Sequence, residues 1–328
     1  MGLNEAEIIG LIREMTGVPL PGVEVTIGDD AALCNFTSGS VLLTVDSIFE
    51  GIHFTLETYG YSDVGWKAVT ASVSDIAAMG GEPSCVLLSL ALGAPPERDD
   101  IRALISGVLE ACAASNCALV GGDVCRSGSG LALSVTVAGI PPAGGPVLRS
   151  GAQEGDVIGV TGPLGCSAAG LFILQSGRDD LKTRFPGLVE AHLRPVPQVH
   201  AGHLLATAGV TAMEDISDGL GADLLHVCAE SGVGCEVDAS RVPLSDETRT
   251  LADESDFDPL EWALEGGEDF QLLFTSNPGH FDRAATVLAL HEVTVSRIGS
   301  IIGEEKGCKL VDGDESTELG GLGYDHFR

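Results

Sequence analysis

The sequence predicts an α/β protein built in two parts, and three observations carry that expectation. The chain has 328 residues, about two domains at ~150 residues each. Short apolar runs of strand length alternate along it with stripes of helical period. A proline- and glycine-rich stretch, Pro141-Pro142-Ala143-Gly144-Gly145-Pro146, lies near the middle, where a linker would be. One domain is therefore expected over residues 1–143 and a second over 144–328. Hydrophobic residues make up 44% of the chain, enough to fill real cores and to argue against disorder.

Asn4-x-x-Glu7 ahead of Ile8, Ile9, Leu11 and Ile12 reads as a capped first helix. Gly28-Asp29-Asp30 falls in a loop. The run 41–45 is expected to be a buried strand ending at Asp46. Val64, Ala68, Ala71, Asp75 and Met79 share one stripe of a helix over 62–79, which puts Asp75 on the face expected to be buried. A strand over 85–92 follows, then Pro95-Pro96 opening a helix near 97–115. A strand over 118–120 ends in Gly121-Gly122-Asp123, and another spans 131–140. The second part reads as strands near 156–160, 235–238, 270–275 and 293–302. Its helices fall near 167–175, 198–208, 218–231 and 279–290.

Forty-eight acids against seventeen Lys and Arg give a formal net charge of −31. That excludes a basic nucleic-acid-binding face and argues against an anionic membrane surface. Only four of the cations are Lys, a balance that a high-salt cytoplasm would tolerate by screening. The nine Cys are scattered with no C-x-x-C pair, so they read as small buried thiols of a reducing compartment. The N-terminus opens with acids, not with a basic leader, and the longest apolar stretch is about half the ~20 residues of a membrane helix. A cytoplasmic protein is expected.

The most informative feature is a recurring placement of acids at strand ends or beside glycines. It occurs as Gly28-Asp29-Asp30, Val45-Asp46, Gly121-Gly122-Asp123, Asp215-Ile216-Ser217-Asp218-Gly219 and Gly266-Gly267-Glu268-Asp269, with Asp75 added from the helix stripe. One such Asp is ordinarily a turn residue or helix cap. Several converging carboxylates would instead repel one another and call for a divalent cation. The donors are oxygens, which points to Mg²⁺, Mn²⁺ or Ca²⁺ rather than zinc. The chain has no Gly-Lys dipeptide, hence no Walker A loop, and neither G-x-G-x-x-G nor G-x-S-x-G occurs. Polyphosphate chemistry on several Mg²⁺ ions survives these exclusions.

On these residues the chain resembles the thiamine-monophosphate kinase family, of the aminoimidazole-ribonucleotide-synthetase-like superfamily. The likeness also covers Glu50-Gly51-Ile52-His53-Phe54, Gly65-Trp66-Lys67-Ala68, Ser74-Asp75-Ile76-Ala77-Ala78-Met79-Gly80, Arg149-Ser150-Gly151-Ala152, His192-Leu193-Arg194-Pro195 and Gly323-Tyr324-Asp325-His326-Phe327. It is ordered and nearly full length. The resemblance implies an α+β N-terminal domain with a mixed sheet that pairs in a homodimer, plus an α/β C-terminal domain. It implies ATP-dependent phosphorylation of thiamine phosphate to thiamine diphosphate by direct in-line transfer. Carried over by position, Asp30, Asp46, Asp75, Asp123, Asp215 and Asp218 would be Mg²⁺ ligands, helped by Thr44 and the Val45 carbonyl. Gly122, Asp123, Arg149 and Ser217 would face ATP, and His53, Glu268 and Tyr324 the thiamine moiety. Val45 replaces the hydroxyl residue usual there, which a main-chain ligand would survive.

The acceptor that the resemblance implies would be a phosphate with a pKa of ~6, so it would need no general base, and none is assigned. The difficulty is bringing two polyanions together, which metal bridging would solve. A carboxylate and an aromatic face suit the thiazolium cation and the flat pyrimidine. The alternatives are another ATP-dependent enzyme of the superfamily, or a non-catalytic acidic protein that binds divalent cations.

Overall fold

The computed structural model describes residues 23–25, 29, 31–36, 39–93, 97–320 and 323–324. The expected first helix, Asp30, Pro95-Pro96 and residues 325–327 lie outside the described residues. The described residues form two sheets and ten α-helices.

The first sheet takes its strands from the part before the proline-rich stretch: β1 (Val23–Val25), β2 (Ala32–Phe36), β3 (Gly39–Phe49), β4 (Glu82–Leu92), β5 (Ala118–Arg126) and β6 (Leu131–Ile140). Their order is β1-β2-β3-β6-β4-β5, antiparallel except for the β4–β5 pair. Two expected ends were wrong. β3 runs through Asp46 to Phe49, and β5 runs through both glycines and Asp123 to Arg126. In each case ladder pairing with the neighbouring strand continues past the polar residues and overrides their local turn preference.

The two faces of this sheet differ sharply. Leu42, Thr44, Ile48, Val86, Leu88, Leu90, Leu133 and Val135 are buried beneath helices α1 (Tyr61–Ala78) and α2 (Arg98–Ala114). The opposite face leaves Val45, Phe49 and Leu87 exposed by 60%, 45% and 47%. Alternation along each strand separates the two sets.

α1 and α2 cross at two glycines. A Cβ on Gly107 would lie 1.8 Å from the Ser62 carbonyl oxygen, and one on Gly65 would lie 2.1 Å from that of Leu104. Backbone thus rests on backbone, and no other residue fits without parting the helices.

The second sheet contains β7 (Val157–Thr161), β8 (Ala212–Asp215), β9 (Val233–Asp238), β10 (Leu272–Ser276), β11 (Val295–Gly303), β12 (Cys308–Asp312) and β13 (Glu315–Glu318), in the order β13-β12-β9-β11-β7-β10-β8. It too is mostly antiparallel, with β9 and β12 parallel. Helices cover both faces of its central strands, so β7, β8 and β10 are buried at every position. The helices of this part are α3 (Cys166–Gln175), α4 (Asp179–Arg184), α5 (Pro186–Leu193), α6 (Val199–Ala208), α7 (Leu220–Ser231), α8 (Asp246–Ser255), α9 (Pro259–Glu265) and α10 (Pro278–Leu290).

α1 ties the parts together. Besides the first sheet and α2 it packs on α6 and on β8. Replacing Gly107 with Ala should lower unfolding stability by roughly 1–2 kcal/mol, because overpacking (about 1–3 kcal/mol) outweighs the ~1 kcal/mol gain in helix propensity. Gly144→Ala, where nothing lies near the added methyl, should be neutral; urea titration of both variants measures the difference.

Candidate active site

Three groups of side chains gather around α1 and β8. The first is at the middle of β3. Thr44 donates its hydroxyl to the Asp75 carboxylate of α1. Asp46 is on the same helix-facing side of the strand, two residues on. Asp75 is half-buried, not fully enclosed as its stripe suggested.

Backbone alternation also fixes the Val45 carbonyl. Glu50 N donates to Leu131 O on β6, whereas Phe49 N donates to His53 Nδ1 on the other side. Val45 shares the parity of Phe49, so its carbonyl points away from β6. That carbonyl therefore points to the β2 side of the strand, beside Thr44 and Asp46.

The second group lies at the end of β8. Glu214 and Asp215 are buried, Ser217 and Asp218 are half-buried in the following turn, and Asp223 is fully buried in the first turns of α7. Asp223 Oδ2 accepts from the N–H groups of Asp218 and Gly219, at 3.2 and 3.1 Å, and so closes the turn at the start of the helix. Glu214 is clasped by Arg149 (3.1 Å) and His226 (3.0 Å). Asp29 Oδ2 accepts from the Arg149 N–H at 3.2 Å, which brings Asp29 to the same place. Burial, and then the charges of Glu214, Asp218 and Asp215, push the Asp223 carboxyl well above the usual carboxylate range; Arg149 opposes them.

The third group is a buried lysine and its partners. Lys67, on α1, is only 1% exposed. Its ammonium reaches Glu268 at 2.6 Å, Tyr59 Oη at 2.8 Å and the His53 carbonyl at 3.2 Å. All three N–H groups are therefore used. Tyr59 Oη donates a hydrogen bond to the His192 carbonyl at 3.2 Å, and the His192 ring lies 3.7 Å from Glu268 and 3.0 Å from Ser167 Oγ.

Glu268 belongs to a strained turn. Glu268 and Phe270 take φ of 66° and 47°, in the left-handed region that side chains avoid. Three contacts hold it. Glu268 N donates to Ser217 O, Phe270 N donates to Ile216 O, and the Asp269 carboxylate caps α3 by accepting from Gly165 N and Ser167 N. A Cβ on Gly267 would lie 2.0 Å from Ser217 O, so the second glycine is what lets the two acidic turns touch. Tyr324 N donates to Asp218 O at 3.2 Å, which docks Tyr324 on the same turn.

The expected ATP-facing pair does not join these groups within one chain. Asp123 sits three strands from the Asp46 row, roughly 14 Å at ~4.8 Å per strand. It pairs with Ser89, on the exposed face of the sheet, whereas Asp46 is on the helix face. Gly122 shares that edge strand.

Sequence reasoning missed Lys67, Glu214 and Asp223 as site members. Lys67 carried a signal, being one of only four lysines and lying between the apolar stripe positions Val64 and Ala68. Glu214 and Asp223 carried none, because an acid beside Asp215 and an acid in a first helical turn both read as ordinary.

Near β8, Glu214, Asp223 and His226 bring two buried carboxylates and a half-buried imidazole within 4.8 Å of one another, and burial and then the neighbouring acids hold Asp223 high, so with Asp215 and Asp218 beside them these mostly oxygen donors fit a divalent cation. Residues 28–141 match the family of AIR synthase related protein, N-terminal domain, and residues 153–310 match that of its C-terminal domain. The thiamine-monophosphate kinase of Bacillus subtilis (strain 168) is 32% identical over 330 residues, covering 99% of this chain and all of that protein. The chain belongs to the thiamine-monophosphate kinase family. Another member, from Aquifex aeolicus (strain VF5), is 39% identical over 250 residues, 76% of this chain and 80% of that one. The solved structure of AaThiL complexed with AMPPCP and TMP aligns with a TM-score of 0.87 at 32% identity, covering 100% of this chain and 99% of that chain.

Two tests address the lysine group in this family member. Glu268→Ala leaves Lys67 buried without its counter-charge and should cost about 2–3 kcal/mol of stability. Adding Lys67→Met should recover part of that loss, a non-additivity that a double-mutant cycle in urea measures. The second test concerns pH. Burial, and then Lys67, pull the His192 ring down to about 4 from 6.5. The unfolded chain therefore binds a proton that the native state refuses between those values, so stability present above pH 6.5 is lost as pH falls toward 4. At full separation the effect is on the order of 3 kcal/mol. His192→Gln should flatten the stability-against-pH curve over that window; an unchanged slope would assign the effect elsewhere.

Proposed function

We propose that the protein transfers the γ-phosphoryl group of ATP to thiamine phosphate, giving thiamine diphosphate and ADP, by direct in-line displacement. The observation that carries this reading is the gathering of the motif residues around α1 and β8 in a chain aligned end to end with a kinase solved with AMPPCP and TMP. Asp46, Asp75, Asp215 and Asp218, with Thr44 and the Val45 carbonyl, would hold Mg²⁺; Asp30 is assigned by position only. When bound, Mg²⁺ supplies neutralisation of the phosphate oxygens.

The side chains do the rest. Thr44 holds the Asp75 carboxylate in place. Glu214 and Asp29 fix Arg149 beside the acids, where its guanidinium is the cation placed on an ATP phosphate. Ser217 faces the nucleotide from the same turn. His53, Glu268 and Tyr324 would form the thiamine side. Because Lys67 already neutralises Glu268, that carboxylate serves to position and accept hydrogen bonds more than to act as a bare counter-charge. The acceptor phosphate is largely dianionic near neutrality and attacks without a protein base.

We further infer a homodimer, with domains meeting near residues 143–144. Val45, Phe49 and Leu87 form an apolar exposed face, and a second copy laid on it would cover them. It would also supply Asp123, which one chain holds on the wrong face, and Gly122 of the same edge strand. A cytoplasmic enzyme suits the charge and the lack, among the described residues, of a helix long and apolar enough to cross a membrane.

Incubation with ATP, Mg²⁺ and thiamine phosphate should yield thiamine diphosphate; its absence would refute the reading. Asp75→Asn should lower turnover at least 100-fold with an unchanged circular dichroism spectrum. A near-normal rate would remove Asp75 from the site.

A further inference from the structure

Away from the acids, three thiols meet in the second core. Cys228 is on α7, Cys235 on β9 and Cys308 on β12, and their sulfurs all lie within 4.8 Å of one another. All three are free thiols. β9 and β12 run parallel with Cys235 directly opposite Cys308, and α7 packs over β9 to bring Cys228 onto the pair. Cys228 and Cys235 are buried, while Cys308 is half-buried. Leu224, Val227, Val237, Ile301 and Leu319 belong to the same core.

We propose that Cys228, Cys235 and Cys308 form a three-thiolate site for a soft, thiophilic d¹⁰ cation of the Cu⁺, Zn²⁺ or Cd²⁺ class. Thiolates select such ions and not Mg²⁺. With metal–sulfur bonds of ~2.3 Å, three sulfurs around one ion stand about 4 Å apart, so the observed cluster needs movements below roughly 1 Å. Each thiol gives its proton to solvent as its sulfur takes the metal. The half-buried side, at Cys308, provides the way in and room for an exogenous fourth ligand.

The site is chemically and spatially distinct from the carboxylates. Cys228 follows Asp223 by five residues on α7, about 7.5 Å along the axis and about 140° around it. A thiophilic ion and Mg²⁺ would therefore not compete. α7 begins at the acidic turn and ends with Ser231, whose hydroxyl accepts from the N–H groups of Gly151 and Ala152 and donates to Arg149 O. An ion at Cys228 would therefore brace the helix on which Asp223 and the Arg149 segment rest.

The test uses the full-length reduced protein under anaerobic conditions, with Mg²⁺ in large excess so that carboxylates are saturated. Titration with Cd²⁺ should give a thiolate-to-metal charge-transfer band that saturates at one equivalent, with protons released to the buffer. Cys308→Ser, at a half-buried strand position, should weaken binding at least 100-fold, and Cys228→Ala should do the same. Cys112→Ala, whose thiol belongs to the first core, should bind as the unmodified protein does. Metal should raise the melting temperature of the unmodified chain and leave that of Cys308→Ser unchanged. Absence of a saturable band, or a band that survives Cys308→Ser, would overturn the proposal and leave the thiols as core filling.

Discussion

The structure depends on a helix with almost no solvent-facing side. α1 is covered by the first sheet and α2 and also packs on α6 and β8, so nearly every residue from Val64 to Ala78 is at least half-buried. Such a helix must be built from small and apolar residues, and each polar group it carries must find a partner. Most do: Trp66 Nε1 and Thr70 both donate to the Pro195 carbonyl, Ser72 donates to Val135 O, Asp75 accepts from Thr44, and Lys67 uses all three of its protons, while the buried Ser74 hydroxyl has no partner among the described residues. These bonds run to both halves of the chain. The helix that joins the two cores is thereby also the part that sets Asp75 and Lys67 relative to the turns of the second half.

The acids obey the opposite constraint. Burying Glu214, Asp215 and Asp223 together, with Asp218 beside them, costs free energy unless something positive shares the space. Among the described residues Arg149 and His226 both reach Glu214, and His226 also lies 3.9 Å from Asp223. Burial, and then the charges of Glu214, Asp218 and Asp215, hold the Asp223 carboxyl well above the usual carboxylate range. The overall charge of −31 says little about this; what counts is that a few carboxylates are held close by turns whose backbone bonds are already satisfied.

Much of the fold was legible because hydrophobic period decides it. The strand Leu131–Ile140 and the helices Tyr61–Ala78 and Val199–Ala208 follow from alternation or from stripes within one or two residues. Asp46 and Asp123 were misplaced at strand ends, because sequence shows the polar residue and not the neighbour that continues the ladder. Helices α4, α5, α8 and α9 were not expected at all. They are short, and two begin with Pro at the first turn, a signal that reads equally as a loop. In the site, the motif acids were legible as a set, but their grouping was not. That Thr44 meets Asp75 or that Lys67 meets Glu268 depends on how α1 crosses the sheet, which no local spacing encodes.

The Gly266-Gly267-Glu268-Asp269-Phe270 turn shows why these particular residues occur together. Two side-chain-bearing residues hold left-handed backbone, at a cost of about 1–3 kcal/mol each. The strain persists because four independent constraints converge on the turn: the Gly267 contact with Ser217, the two backbone bonds to Ile216 and Ser217, the Asp269 cap on α3, and the Lys67 pair with Glu268. Releasing any one would let the turn relax, and Ser217 and Asp218 would lose the surface against which they are set. A turn braced this way keeps the acidic end of β8 and the Lys67 group in one rigid unit, so the two anionic reactants proposed for the site would meet groups that need no rearrangement. Positioning of that kind is what phosphoryl transfer chiefly demands of a protein.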